Sequence, residues 1–408
     1  MKFQTIKLEE LFEIPTKNGL TRPSRDRGIG FKMVNMGELF ANDIIRDIPM
    51  ELVEMNPTEQ KNFNLQNEDL LFARQSIVAE GAGKCSIVDN VKELTTFESH
   101  LIRVRLNKKI CNPWFYFYYF ASPLSPMKSI IMQGVQAGIK ASDLKDLDVI
   151  FPSLEDQNKV SYFFRNIDEL IFNNSQSVLQ LNQIIESLYR EWFINFKFPN
   201  HEQVEFVDGI PEGWLNTPLK QVMSTNPSTL KKGELDEILY VDISSVGQGK
   251  IESFTQYHID DAPGRAKRKV QHGDVIWSCV RPNRKQYALI QNPQTNLIVS
   301  TGFTVLRSTK IPFTYLTALA ASDDFCGYLT SVAQGAAYPA VTYKDFEDYE
   351  LLLPPKSLLD KFHEVVEPMY EQIHILQTQN QKLQDLKETL LPRLMSGEID
   401  VSKLSSIE

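Results

Sequence analysis

The chain has 408 residues, 42% of them hydrophobic and 23% charged, which is enough apolar material for sizeable cores; at ~100 to 200 residues per domain it implies about two to four domains and excludes global disorder. A formal net charge of −9 argues against indiscriminate polyanion binding and leaves any nucleic-acid role to local charge. The longest apolar run, Trp114 to Ala121, is far below the ~20 residues of a membrane span, and Glu9 and Glu10 break any leader-like core. Cys85, Cys111, Cys279 and Cys326 lie far apart with no Cys-x-x-Cys, so neither a zinc ribbon nor a disulfide framework is expected, and a reducing cytoplasm is.

Read in chain order, the elements come twice. Residues 1–152 form a first mixed domain, in which Lys17, Arg22, Arg25, Arg27 and Lys32 surround Gly19, Gly28 and Gly30 and predict a basic loop. Asp69-Leu70-Leu71-Phe72 and Leu101 to Leu106 predict strands. Asn112-Pro113 predicts a capped helix start, and Phe151-Pro152-Ser153 ends a strand and opens a helix over 153–196. A turn-rich linker, 197–213, leads to a second domain over 214–354, a second helix over 355–396 and a tail over 397–408. Asp143-Leu144, Pro152 and Lys159 recur 202 residues on as Asp345-Phe346, Pro354 and Lys361. Gln133-Gly134 matches Gln334-Gly335, and Asp69 to Phe72 matches Asp274-Val275-Ile276-Trp277, with small changes of offset that mark loop insertions. The fold class is therefore α+β, two duplicated mixed domains joined by two long helices.

The helices carry a coiled-coil seam. Val160, Phe164, Ile167, Ile171, Asn174, Val178, Leu181, Ile185, Leu188 and Trp192 follow alternating steps of 4 and 3. Phe362, Val366, Met369, Ile373, Leu376, Asn380, Leu383, Lys387, Leu390 and Leu394 repeat the seam, with Lys387 its charged exception. Antiparallel pairing with Trp192 opposite Phe362 and Val160 opposite Leu394 fills every layer and sets Asn174 against Asn380, where two amides could bond each other and penalise slipped registers. Lys387, opposite Ile167, must then turn its ammonium to solvent or an acid. Helices of ~40 residues would be ~60 Å long and serve as a spacer between the domains.

Catalytic motifs are weak. Asn112-Pro113-Trp114-Phe115 approximates the Asn-Pro-Pro-Tyr/Phe turn of amino-methyltransferases, but the repeat has Ile311-Pro312-Phe313-Thr314, so a cap followed by Pro at the first helical position explains both copies better. Gly134 to Lys140 lacks phosphate-loop spacing, and the histidines show no metal-ligand spacing or nucleophile pattern. Local positive charge stands out instead: Arg265, Lys267, Arg268, Lys269, Arg281, Arg284 and Lys285 oppose the single acid Asp274. Cations hold phosphates, and Arg, Asn and Gln supply the bidentate pairs that read guanine and adenine. Arg281, Asn283 and Arg284 are expected to reach DNA, with phosphate contacts from Arg265, Arg268 and Lys269 and with Lys267 and Lys285 in the same surface. In the first domain Arg22, Arg25, Arg74 and Gln75 are the candidates.

Gly264-Arg265-Ala266-Lys267-Arg268-Lys269-Val270, Gly273-Asp274-Val275-Ile276 and Val280-Arg281-Pro282-Asn283-Arg284 resemble one class of target recognition domain from specificity subunits of type I restriction-modification systems. Ile210-Pro211-Glu212-Gly213-Trp214 is similar to the opening of that family's second such domain. Leu188-Tyr189-Arg190-Glu191-Trp192-Phe193 and Leu391-Pro392-Arg393-Leu394-Met395-Ser396-Gly397-Glu398-Ile399 resemble the ends of its central and distal helices. The resemblance covers essentially the full length; it departs where Glu68-Asp69 replaces Gly-Asp and where no Trp opening precedes Lys7-Leu8. It implies a noncatalytic, cytoplasmic subunit that reads an asymmetric bipartite site in double-stranded DNA, one domain per half. It also implies two modification subunits bringing S-adenosylmethionine to methylate adenines, restriction subunits using ATP and Mg, and no cofactor in this chain. The competing reading is a coiled-coil scaffold that binds proteins through its duplicated domains.

Overall fold

The computed structural model describes residues 3–76, 81–132 and 136–401, so that Gln133-Gly134 and residues 402–408 of the tail lie outside the described residues. The chain divides into two units, Met1–Phe172 with Asn380–Glu408, and Asn173–Gln379. Both long helices contribute to each unit.

In the first unit, apolar alternation closes five strands into a sheet. They are β1 (Phe12–Asn18), β2 (Ile44–Ile45), β3 (Leu70–Ala73), β4 (Cys85–Val88) and β5 (Leu101–Leu106), in the order β1-β5-β3-β4-β2. A smaller sheet runs Glu51–Val53, Arg27–Val34, Thr95–Phe97, its last pair parallel. The second unit repeats the plan with β6 (Met223–Thr225), β7 (Val275–Ser278), β8 (Tyr287–Leu289) and β9 (Phe303–Ser308), in the order β6-β9-β7-β8. Its smaller sheet, Thr255–His258, Glu237–Val241, Leu297–Ser300 and Ala266–Lys269, keeps one parallel pair and gains the last strand, which carries the basic run. Lys17 and the stretch from Arg27 to Lys32, expected in a basic loop, lie on strands, Phe12–Asn18 and Arg27–Val34. Gly28 and Gly30 reside in a bulge where Arg27 and Phe31 both oppose Val53, and Gly30 is required there because a Cβ would meet the Val53 carbonyl oxygen at 2.4 Å.

The duplication extends to buried charge. Arg105 grips Asp69 with two hydrogen bonds of 2.6 and 2.7 Å, and Arg307 grips Asp274 with two of 2.7 Å. Each carboxylate also accepts the backbone N–H three residues before it, from Gln66 or Gln271, at 2.8 Å. The Asp of the Gly-Asp motif is thus a structural acid. The residue before it must turn left-handed, with φ of 85° at Gly273 and 74° at Glu68, so the departure at Glu68 retains the turn and places a side chain on it.

Helix α1 (Pro113–Ala121) is buried from Pro113 to Phe120, packed between the sheet and the long helix. Asn112 caps it, its Oδ1 accepting the Trp114 N–H at 2.9 Å. Its Nδ2 donates to Asn158 Oδ1 at 2.8 Å, which supports the capping role over a base-holding turn. In the repeat, Pro312 itself occupies the N-cap position rather than the first helical one, and the equivalent helix starts one residue later. Ser153 caps the long helix α2 (Leu154–Tyr189), which passes into a wider π-helical turn over Arg190–Ile194. Helix α3 (Phe313–Ala321) matches α1, and α4 (Lys356–Met395) matches α2.

Within each unit α2 and α4 pair antiparallel. In the first, Val160, Phe164 and Ile167 share a core with Leu394, Leu391 and Leu390. Lys387 meets an acid there: its ammonium donates to Asp168 at 2.5 Å, and Asp168 also accepts the Tyr118 hydroxyl at 2.6 Å. In the second, Trp192 packs edge-on against Phe362 with ring centroids 5.8 Å apart, as the register requires. The two seam amides are only half-buried. Asn174 Nδ2 donates to Gln379 Oε1 at 3.1 Å in the second unit, and Asn380 Nδ2 donates to the Ile171 carbonyl at 3.3 Å in the first. The burial cost expected for an unpartnered amide is therefore reduced at both, because partial solvation and local partners share the load.

Candidate nucleic-acid interface

In the second unit the apolar strand β7 ends at Ser278, and the chain must turn before β8. Pro282 starts a single 3-10 turn, Pro282–Arg284, flanked by two non-glycine residues in the left-handed region, Arg281 (φ 51°) and Lys285 (φ 53°). Such backbone costs ~1 kcal/mol or more per residue and persists only where its surroundings over-determine it. Here a second segment does so. Gln334 and Ala340 exchange two 2.9 Å hydrogen bonds, the Arg281 N–H donates to the Pro339 carbonyl at 2.7 Å, and the Val341 N–H donates to the Cys279 carbonyl at 2.9 Å. Gly335, at φ 105°, closes this loop. At its tip Tyr338 is 69% exposed, and the Arg281 guanidinium lies over its ring, 4.6 Å from the centroid.

The other candidates of the second unit divide by what already holds them. Asn283 and Arg284 project from the turn and are exposed, as are Lys267 on the basic strand and Arg265 just before it. Lys269 is tied to Glu234, and Lys285 to Asp323 at 2.6 Å, whose carboxyl is held below its usual range by that lysine. Arg268 is half-buried at a bulge; among the described residues its Nε has no hydrogen-bond partner, and burial lowers its pKa. Lys285 also lines a cavity of about 600 Å³ with Glu186, Arg190, Tyr287 and His374.

The first unit has the same clamp. Gln75–Ser76 pairs antiparallel with Ala137–Gly138, and the Ile139 N–H donates to the Arg74 carbonyl at 2.9 Å, as Val341 does to Cys279. Met132 pairs with Gly138 as Gln334 pairs with Ala340. Gln75 Oε1 contacts His100 Nδ1 at 3.1 Å. The segments that follow, 77–80 and 133–135, lie outside the described residues and include part of the glycine-lysine stretch weighed as a phosphate loop. Arg22 is engaged by Glu59 at 2.6 Å and by the Glu54 carbonyl at 3.2 Å, and Arg22 holds the Glu59 carboxyl below its usual range. Arg25 is 85% exposed, 3.5 Å from Asp26. Lys32 is tied to Asp47 at 2.5 Å and Arg27 to Glu51 at 2.6 Å, so acids remote in sequence neutralise much of the first basic cluster.

Two exposed side chains carry no signal of a role in the sequence. Tyr338 follows the Gln334-Gly335 repeat, and Ile29, 63% exposed, sits between Gly28 and Gly30 in the bulge. Among the described residues no group of three or more His, Cys, Asp or Glu could hold a metal ion, and no helix is long and apolar enough to cross a membrane.

A sequence model of the type I restriction modification DNA specificity domain matches residues 1–183. Over 275 residues the chain is 26% identical to the type I restriction enzyme MjaIX specificity subunit of Methanocaldococcus jannaschii, covering 65% of this chain and 64% of that protein, less than two thirds of its length. A second protein of that organism, the putative type I restriction enzyme MjaX specificity subunit, is 22% identical over 420 residues, 97% of this chain and 93% of its own. The crystal structure of the S subunit of a type I restriction-modification system from M. genitalium matches with a TM-score of 0.59 at 13% identity over 96% of both chains, a likeness of fold.

Proposed function

We propose that the chain, which is similar to type I restriction-modification DNA specificity subunits, is the noncatalytic DNA-reading subunit of a type I complex in the cytoplasm. It reads an asymmetric bipartite site in double-stranded DNA, one domain per half-site. It positions two modification subunits, which bring S-adenosylmethionine and methylate adenines, and restriction subunits, which use ATP and Mg. The observation that carries this reading is the repeated clamp: the same backbone hydrogen bonds hold Arg74–Ser76 in one unit and Cys279–Arg281 in the other, while the displayed side chains differ. One scaffold with divergent loops docks twice in the same way and reads two different sequences.

Salt tests the electrostatic half of this. With labelled duplex DNA, the full chain should lose affinity steeply as salt rises, log K falling against log[salt] by about 0.9 for each phosphate neutralised. No duplex binding at low salt, or binding indifferent to salt, would favour the protein scaffold instead.

A further inference from the structure

We propose that Arg281 and Tyr338 form a single base-reading element of the second domain, in which Tyr338 is a positioning residue that holds the Arg281 guanidinium edge-on to a guanine in the major groove. The inference rests on the DNA-reading function and adds to it the residue pair and the base.

The backbone of Arg281 is held left-handed by the Pro339 carbonyl, in the same loop whose tip carries Tyr338. A non-glycine residue retained at φ 51° needs a reason, because glycine would adopt that conformation without strain. The side chain supplies it. Lys285, Lys269 and Arg307 are each bound by an acid, whereas among the described residues no acid pairs with Arg281 and its planar group rests on an aromatic face. Stacking on a ring fixes the plane of the guanidinium and leaves the edge of its fork free to donate. A phosphate contact needs charge with little regard to plane. The two parallel bonds to guanine O6 and N7 require the plane, and they are the commonest sequence-specific contact made by arginine. Tyr338 is mostly exposed, so its ring is spared from the core for this purpose.

The test uses the full chain, tagged and recovered from its own cells with whatever it holds, and a randomised double-stranded DNA library sequenced after selection. Wild type should enrich a two-part motif with a guanine in one half. Tyr338→Ala and Arg281→Gly should each lower affinity for that motif by about 5- to 100-fold and flatten preference at that one guanine, leaving the other positions selective. Tyr338→Phe, which keeps the ring, should retain the preference, and Arg281→Lys, which keeps only the charge, should lose it. Arg281→Gly suits the left-handed backbone, so its loss cannot be assigned to misfolding. Unchanged preference in Tyr338→Ala, equal loss in Tyr338→Phe, or a uniform loss over all sequences would overturn the inference while the DNA-reading function stands. A wild-type chain that enriches no motif would overturn both.

Discussion

Asp274 and Asp69 are almost fully buried, and each is satisfied by a two-pronged arginine and a backbone N–H. Removing one partner of such a pair strands a charge in a low dielectric, which is worse than never having buried the pair. Arg307→Met should therefore cost ~3 to 5 kcal/mol in the unfolding of the second unit, read by urea titration of the full chain, and Arg105→Met should do the same in the first. A loss below ~1 kcal/mol would mean that Asp274 finds water or another donor. At this scale the sequence was only partly legible. The Gly-Asp string marked the turn, but its arginine lies 33 residues further on at Arg307, a partner that spacing along the chain does not suggest. Arg22 and Lys32 likewise looked uncommitted until the fold brought Glu59 and Asp47 to them. Tyr338 is not legible in the sequence, because one tyrosine in a Gly-Ala-Ala-Tyr-Pro stretch carries no periodicity; only the loop makes it a neighbour of Arg281.

The long helices were the most legible elements, because a strict 3.5-residue repeat leaves little choice of partner or register. Trp192 and Phe362 meet as that register demands, and the single charged seam residue, Lys387, finds Asp168, which stands next to the expected layer partner Ile167. What the seam could not show is that α1 also takes part, through the Tyr118 hydroxyl on the same carboxylate. This network is largely buried, with side-chain exposures of 16% at Lys387 and 11% at Asp168. Lys387→Leu alone should destabilise the first unit by ~3 kcal/mol, since it leaves Asp168 with a neutral hydroxyl as its donor, whereas Lys387→Leu combined with Asp168→Leu should recover most of the loss. Thermal or urea unfolding of the two singles and the double decides it; additive losses would show that the two residues are not coupled. Lys17 and the stretch from Arg27 to Lys32 lie on strands for the opposite reason: glycines and cations indicate a loop locally, while pairing with Leu101–Leu106 and Thr95–Phe97 is non-local and overrides that preference.

For the molecule as a whole, duplication explains more than any motif does. Both units share the four-strand order β1-β5-β3-β4 or β6-β9-β7-β8, the buried Asp–Arg pair, the helix that follows β5 or β9, and the clamp beside the exposed loops. They differ where recognition would be read: the second unit adds the basic strand Ala266–Lys269 and the Arg281–Tyr338 pair, and the first has the Gly-Ile-Gly bulge. The overall charge of −9 hides this, because acids elsewhere outweigh the cations gathered on these segments. A DNA-reading subunit of the proposed kind determines where adenines are methylated. Methylated adenines sequenced genome-wide in cells that carry the chain and in cells that lack it should reveal an asymmetric two-part motif, methylated only when the chain is present; the same methylated motifs in both cell lines would show that this chain does not direct methylation.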